Sequence, residues 1–280
     1  MASINMRKGD VTELIEYMRS CESIMAVVGA GLSAPSGIPT FRHEGANWRG
    51  LPIALLSQSS TWEKDPVLMW AYTENRRQMC RVAQPNTGHR ALAALARAKP
   101  DFLTITQNID GLSHRAQHPP RQLVTLHGSN HGIKCSNKDC NYTAENYTDQ
   151  STVPGLEMPA EFSDSTIPLP QIDRQAIPRC PSCKSAMLRP GVTWFGESLP
   201  STSMTHIDGW LDAHEDVNLL LIIGTSRSPF VADAIERGAR TAVFNMGNDA
   251  EPCDDDDWVL DGDASQTLPY VIERALGTHI

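Results

Sequence analysis

No apolar run in this chain approaches the ~18 residues that a membrane-spanning helix needs, so no membrane partner is expected. Positive charge is also scarce. The net charge is −9, which argues against non-specific nucleic-acid binding and suits a basic protein or peptide partner. The amino end, Met1-Ala-Ser-Ile-Asn-Met-Arg-Lys-Gly-Asp10, has no secretory signal, and too little arginine and too short an amphipathic run for a mitochondrial presequence. An unprocessed tail before the first helix is expected. An intracellular protein is expected, with cytoplasm, nucleus and mitochondrion all open. The cysteines number seven, an odd count that makes a disulfide framework unexpected. With 40% hydrophobic and 20% charged residues, the 280-residue chain can bury a core as one large domain or as a domain carrying an insertion.

One further absence bears on chemistry. Ile24-Met-Ala-Val-Val28 runs into Gly29-x-Gly31-x-x-Ala34, which reads as a buried strand ending at a turn where backbone can approach a phosphate. The last small residue of such a motif lets helix and strand pack closely. The acidic ribose reader usual about 20 residues further on is missing; beyond Glu44 the chain reads Trp48-Arg-Gly-Leu-Pro-Ile53. A bound dinucleotide must have its ribose held from elsewhere.

Apolar spacing predicts a helix over Val11–Ser20 with Asp10 as N-cap, a helix over 61–82 with Pro66 in its first turns, and another over 86–98. Residues 41–60 read as an irregular loop over a ligand site. The runs at Phe102–Thr106, 123–126, Leu219–Ile223 and 241–244 read as strands buried on both faces of a parallel sheet. They deliver Gln107, His127, Gly224 and Asn245 at their carboxyl ends, where open α/β sheets bind ligands. Residues 129–189 form a polar, proline-rich insertion with too few apolar residues for a core of its own. Cys135-x4-Cys140 and Cys180-x2-Cys183 lie at its two ends, and four thiolates around one structural Zn2+ would supply the missing folding energy. His131 or His127 is the alternative fourth ligand. The run Cys253-Asp-Asp-Asp-Asp257 reads as a solvated loop.

Taken in order, Gly29-Ala-Gly-x-Ser-Ala-x-Ser-Gly-Ile-Pro-Thr-Phe-Arg42, Pro85-Asn-Thr-Gly-His89, Thr106-Gln-Asn-Ile-Asp110, His127-Gly128, the cysteine pairs, Trp194-Phe-Gly-Glu197, Gly224-Thr-Ser226 and Phe244-Asn245 resemble the sirtuins over nearly the whole chain. Ala144-Glu-Asn-Tyr147 and Leu188-Arg-Pro-Gly-Val-Thr-Trp194 resemble class III, whose members remove succinyl, malonyl and glutaryl groups. The resemblance implies an α/β protein: a Rossmann-like NAD-binding domain (1–46, 83–128 and 190–280), a helical module and cofactor loop (47–82) and a zinc-binding insertion (129–189). It implies an NAD-dependent protein-lysine deacylase that releases nicotinamide and 2′-O-acyl-ADP-ribose and acts as a monomer on acyl-lysine proteins or peptides. Gly29, Ala30, Gly31 and Ala34 would cradle the diphosphate, with Thr40, Phe41 and Arg42 beside the nicotinamide ribose. Gln107, Asn108, Ile109 and Asp110 would receive nicotinamide, and Gly224, Thr225, Ser226 and Asn245 the adenosine half, with Ala264 also binding the cofactor. Val192, Trp194, Phe195, Gly196 and Glu197 would pair with the substrate backbone, the augmentation mode that tolerates many sequences. His127 would be the general base, with Asn108 also catalytic. The remaining histidines, His89 included, read as packing residues.

Two departures from the family pattern stand out. The Tyr-x-x-Arg pair that reads an acidic acyl group becomes Thr73 and Arg76. Tyr72, one residue early, is turned by about 100° on a helix and is not assumed to substitute. Arg76 alone could pair with a carboxylate; otherwise Arg76 and Arg77 are a solvated helix face. The segment after Ser226 is several residues shorter than the family's. The rival readings are a sirtuin-fold NAD-binding sensor or interaction module with little turnover, and an NAD-dependent ADP-ribosyltransferase.

Overall fold

The computed structural model describes residues 4–40, 47–225, 229–247, 254 and 256–279. Apolar runs build its main sheet. β1 (Met6–Lys8), β2 (Ile24–Val28), β5 (Phe102–Thr106), β6 (Leu123–Thr125), β10 (Leu219–Ile223), β11 (Arg240–Asn245) and β12 (Trp258–Asp261) lie in the order β1-β12-β11-β10-β2-β5-β6. All neighbours are parallel except the edge strand β1. From β6 to β12 this is the doubly wound order, with the direction of winding reversing between β2 and β10. Every residue of β2, β5 and β10 is buried, as continuous apolar runs require. Alternation then divides β2 between two layers. Ile24, Ala26 and Val28 pack with α1 (Val11–Ser20), α4 (Thr87–Ala98) and α8 (Ala264–Leu276). Met25 and Val27 pack with Ile207 and Leu211 of α6 (Ser201–Ala213) and with Phe230 of α7 (Pro229–Glu236).

Register matters most for the site. Ile223 pairs with Val28 and Phe244, and Val28 with Thr106, so these strands stop at one level. Their next residues emerge side by side along one sheet edge.

The expected helix over 61–82 is two helices, α2 (Ser59–Lys64) and α3 (Pro66–Val82). Asp65 separates them because its side chain caps Leu68 N at 2.9 Å while Pro66, lacking an N–H, occupies the first helical position. Inside the expected loop, β3 (Asn47–Trp48) and β4 (Leu51–Pro52) form a tight hairpin. The insertion holds β7 (Gly128–Cys135) and β8 (Thr143–Glu145), and with β9 (Leu188–Val192) they make an antiparallel sheet in the order β8-β7-β9.

The insertion does help to build a core, contrary to expectation. Ile133, Val153, Leu156, Met158, Ile177 and Leu188 join Trp48, Trp62, Met69, Trp70 and Trp194 in a second buried cluster. Several of these come from irregular segments, which periodicity cannot reveal. In the acidic run Asp254 and Asp256 are exposed, as a solvated loop requires, but Asp257 departs from it. Asp257 is 4% exposed, with Oδ1 accepting from Thr241 N and Oδ2 from Asp254 N; Cys253 lies outside the described residues. No described helix is long and apolar enough to cross a membrane.

Candidate active site

The β2 and β10 turns meet at the switch point with no side chains between them. Gly29 N donates to Ile223 O at 2.8 Å and Gly31 N to Gly224 O at 2.9 Å. A Cβ on Gly31 would lie 2.6 Å from Gly224 Cα, and Gly224 itself has φ +59°. The glycines are therefore demanded by contact between the two turns. Thr225 Oγ1 donates to Gln107 Oε1 at 3.1 Å and Asn245 Nδ2 to Thr225 O at 3.1 Å, tying three strand ends together.

Beside this edge lies a cavity of about 470 Å³, a size typical of ligand pockets. Ala30, Ser33, Gln107, Asn108, Ile109, Asp110 and His127 line its sheet side. Gly29, Gly31, Ala34, Thr40, Gly224, Thr225, Asn245 and Ala264 do not line it. Ala264 is buried at the start of α8. Phe41, Arg42 and Ser226 lie outside the described residues, as does the start of the shortened segment after Ser226.

Asn108 Nδ2 donates to Gly29 O at 2.9 Å and to Ser33 Oγ at 3.1 Å. A carbonyl can only accept, so the amide orientation is fixed and Oδ1 is left as the acceptor. Asp110 Oδ1 accepts from Leu112 N at 2.8 Å, opening α5 (Leu112–Arg115). His127 Nδ1 lies 3.1 Å from Gln107 O and must carry the proton that bonds it, leaving Nε2 unprotonated in the neutral ring. Burial lowers the His127 pKa from its ordinary value, partly opposed by that bond.

Ser33 and His89 belong to the hydrogen-bond network beneath the cavity, a link that sequence reasoning missed. His89 Nδ1 accepts from Asn86 N at 3.3 Å in a capping box, so Nε2 carries the proton towards Ser33 Oγ, 3.3 Å away. Burial pushes the His89 pKa down to about 4, keeping the ring neutral. Ser33 thus accepts from His89 and Asn108, and its own hydroxyl proton is left to donate. The signal was present in Pro85-Asn-Thr-Gly-His89, an N-cap followed three residues later by a side chain able to accept.

Tyr72, Thr73 and Arg76 of α3 also line the cavity. Thr73 Oγ1 donates to Met69 O at 2.8 Å, so its hydroxyl is spent within its own helix. Tyr72 reaches the lining despite its one-residue offset, because residues four apart lie only about 40° apart around a helix, which puts Tyr72 on the same face as Arg76. Burial raises the Tyr72 phenol, with Arg76 opposing. Arg76 makes a 3.4 Å contact to Pro39 O. Arg77 is no solvated residue: it is 2% exposed and pairs with buried Glu74 at 2.8 Å.

The wall facing the sheet includes Val192, Trp194, Phe195, Gly196 and Glu197. The β9 ladder ends at Val192, and 193–197 is a turn with one isolated parallel bridge, Phe195 to Gln58. Thr193 N donates to His127 O at 2.9 Å and Phe195 N to Ser57 O at 2.8 Å, so these donors are already engaged.

Away from the cavity, Cys135, Cys140, Cys180 and Cys183 place their Sγ atoms within 4.8 Å of one another. Two of the separations are 3.6 and 3.8 Å. Sulfurs bound tetrahedrally at ~2.3 Å from Zn2+ stand about 3.8 Å apart, so the donor set fits zinc. Neither His127 nor His131 belongs to the cluster. Asn137 N and Ser185 Oγ point at Cys135 Sγ and Cys183 Sγ, the outer hydrogen bonds that thiolate ligands use. With four protein ligands the site is closed and structural in kind.

The Sir2 family model matches residues 29–229. An NAD-dependent protein deacylase of Candida albicans is 35% identical over 300 residues, covering 95% of this chain and 97% of that protein. A Danio rerio protein, NAD-dependent protein deacylase sirtuin-5, mitochondrial, is 32% identical over 277 residues, covering 95% and 87%. A solved Sir2 homologue in complex with NAD has a TM-score of 0.74 at 27% identity, covering 96% of this chain and 95% of its own. The match spans most of the chain and the fold is shared, so the chain belongs to the Sir2 family.

Proposed function

We propose that this protein is an NAD-dependent protein-lysine deacylase with a preference for acidic acyl groups. One observation carries the reading: neutral His127, tethered through Nδ1, lines the same cavity as Asn108 and, across it, Arg76. Bound NAD would supply a ribose carbon from which nicotinamide can leave. His127 Nε2 then serves as general base towards a ribose hydroxyl, a task suited to imidazole near neutral pH. Gln107, Asn108, Ile109 and Asp110 receive nicotinamide, with Asn108 Oδ1 as acceptor and the Ser33 hydroxyl as donor. Gly29, Ala30, Gly31 and Ala34 approach the diphosphate, and Thr40, Phe41 and Arg42 the nearby ribose. Gly224, Thr225, Ser226 and Asn245 hold the adenosine half, so a late strand replaces the missing acidic ribose reader; Ala264 also binds the cofactor. The residues 192–197 receive the peptide.

Arg76 supports the acidic preference, as a guanidinium able to grip a carboxylate with two hydrogen bonds. Tyr72 takes the part first given to Thr73, whose hydroxyl is occupied.

The test is a panel of acetyl-, malonyl-, succinyl- and glutaryl-lysine peptides incubated with NAD, following nicotinamide release and peptide mass. Loss of the acyl mass matched by nicotinamide, fastest for the acidic groups, is the expected result. Peptide gaining an ADP-ribosyl unit would replace deacylation by transfer. No nicotinamide from any peptide would leave a binding module.

A further inference from the structure

Besides its backbone bonds to His127 and Ser57, the turn at 193–197 is gathered by one carboxylate, that of Glu197. Arg189, 8% exposed, donates through Nη1 to Glu197 Oε1 and through Nη2 to Glu197 Oε2 at 3.0 Å and Val192 O at 3.2 Å. Glu197 Oε2 also accepts from Trp194 N at 3.0 Å, closing the turn, and Lys134 Nζ stands 3.8 Å away. The Arg189 guanidinium lies 3.6 Å from the Trp194 ring centroid, and Trp62 packs near that ring at 5.7 Å. Each oxygen of Glu197 is thus engaged inside the protein, and two cations already offset its charge.

We propose that Glu197 is a positioning residue for the peptide substrate: gripped by Arg189, its carboxylate sets the 193–197 wall of the cavity and does not itself touch the peptide. This rests on the deacylase reading. The paired, charge-assisted bond is directional as well as strong. Glutamine has nearly the same shape but presents an NH2 to one arm of the fork, where donor would face donor. A carboxylate that touched the peptide directly would favour basic sequences. One that acts by shaping the wall is indifferent to the peptide's charge.

The experiment uses the full chain and two fluorescent succinyl-lysine peptides, one flanked by Arg and Lys, the other by Asp and Glu. Peptide affinity is read by anisotropy, and KM and kcat from nicotinamide release, for wild type, Glu197→Gln and Arg189→Lys. Circular dichroism sets an assay temperature at which each is folded, and either variant alone suffices should the other not fold. Expected is an increase of about tenfold in peptide Kd and KM, equal for both peptides, with NAD affinity and kcat within about twofold. Weakening confined to the basic peptide, an unchanged peptide Kd, or an equal loss in NAD affinity or kcat would overturn the proposal. A wild type that binds peptide but releases no nicotinamide would remove the deacylase reading, while the anisotropy comparison still decides the role of Glu197.

Discussion

Nδ1 of His127 bonds Gln107 O at 3.1 Å, and that contact decides which ring nitrogen can act as a base. Because burial lowers the pKa below about 6.5, the ring stays neutral as pH falls to that value and is lost as a base only at lower pH. The acid limb of kcat/KM should therefore have an apparent pKa below 6.5, the unperturbed value of about that size marking the boundary. His127→Ala should cut turnover by roughly 10²–10⁴-fold while calorimetry still finds NAD bound. Equal turnover in wild type and variant would remove His127 as the base. Arg76→Met should lower succinyl-lysine kcat/KM by at least about tenfold and acetyl-lysine kcat/KM by far less, since only the former loses a charge-assisted bond. A uniform decline would sink the acyl assignment. His89 teaches a different lesson: its packing place was readable, but its bond to Ser33 arises only when the 29–36 turns meet the α4 cap.

Elements with one continuous pattern were legible. The α1 bounds and the β2, β5 and β10 runs follow directly from apolar spacing, and each apolar run is buried throughout. β1 and β12 were not legible, being a short polar edge and a strand that follows an acidic run. The break between α2 and α3 was signalled by Asp65-Pro66, but an apolar pattern running through it concealed the cap. At the junction of β2 and β10, Gly31→Ala would place a Cβ 2.6 Å from Gly224 Cα, which is backbone and cannot rotate aside. Overpacking of this kind costs about 1–3 kcal/mol. A lower thermal midpoint together with weaker NAD binding is expected by calorimetry; an unchanged midpoint would show that the turns can part.

Over the whole molecule, the 47–82 stretch and the zinc-cysteine segment share one core, from Trp48 and Trp70 to Ile133 and Leu156. Metal and core are therefore expected to stabilise each other, because bound metal adds to the folding free energy of the segment it closes. Metal analysis should find one zinc per chain, and a strong chelator or Cys180→Ser should unfold the insertion and expose the tryptophans, read by fluorescence. Absence of zinc in a folded, active preparation would end that reading. The sequence alone determined the parallel strands β2, β5, β6, β10 and β11, the helices α1 and α4 and the paired cysteines, because each is written in local spacing. Tertiary structure alone decided that Gly31 faces Gly224, that Thr73 is spent on its helix while Tyr72 reaches the cavity, and that Glu197 is gripped by Arg189. Those pairings join residues that are distant along the chain or turned by a helix's curvature, and no local pattern encodes which partner a side chain will meet.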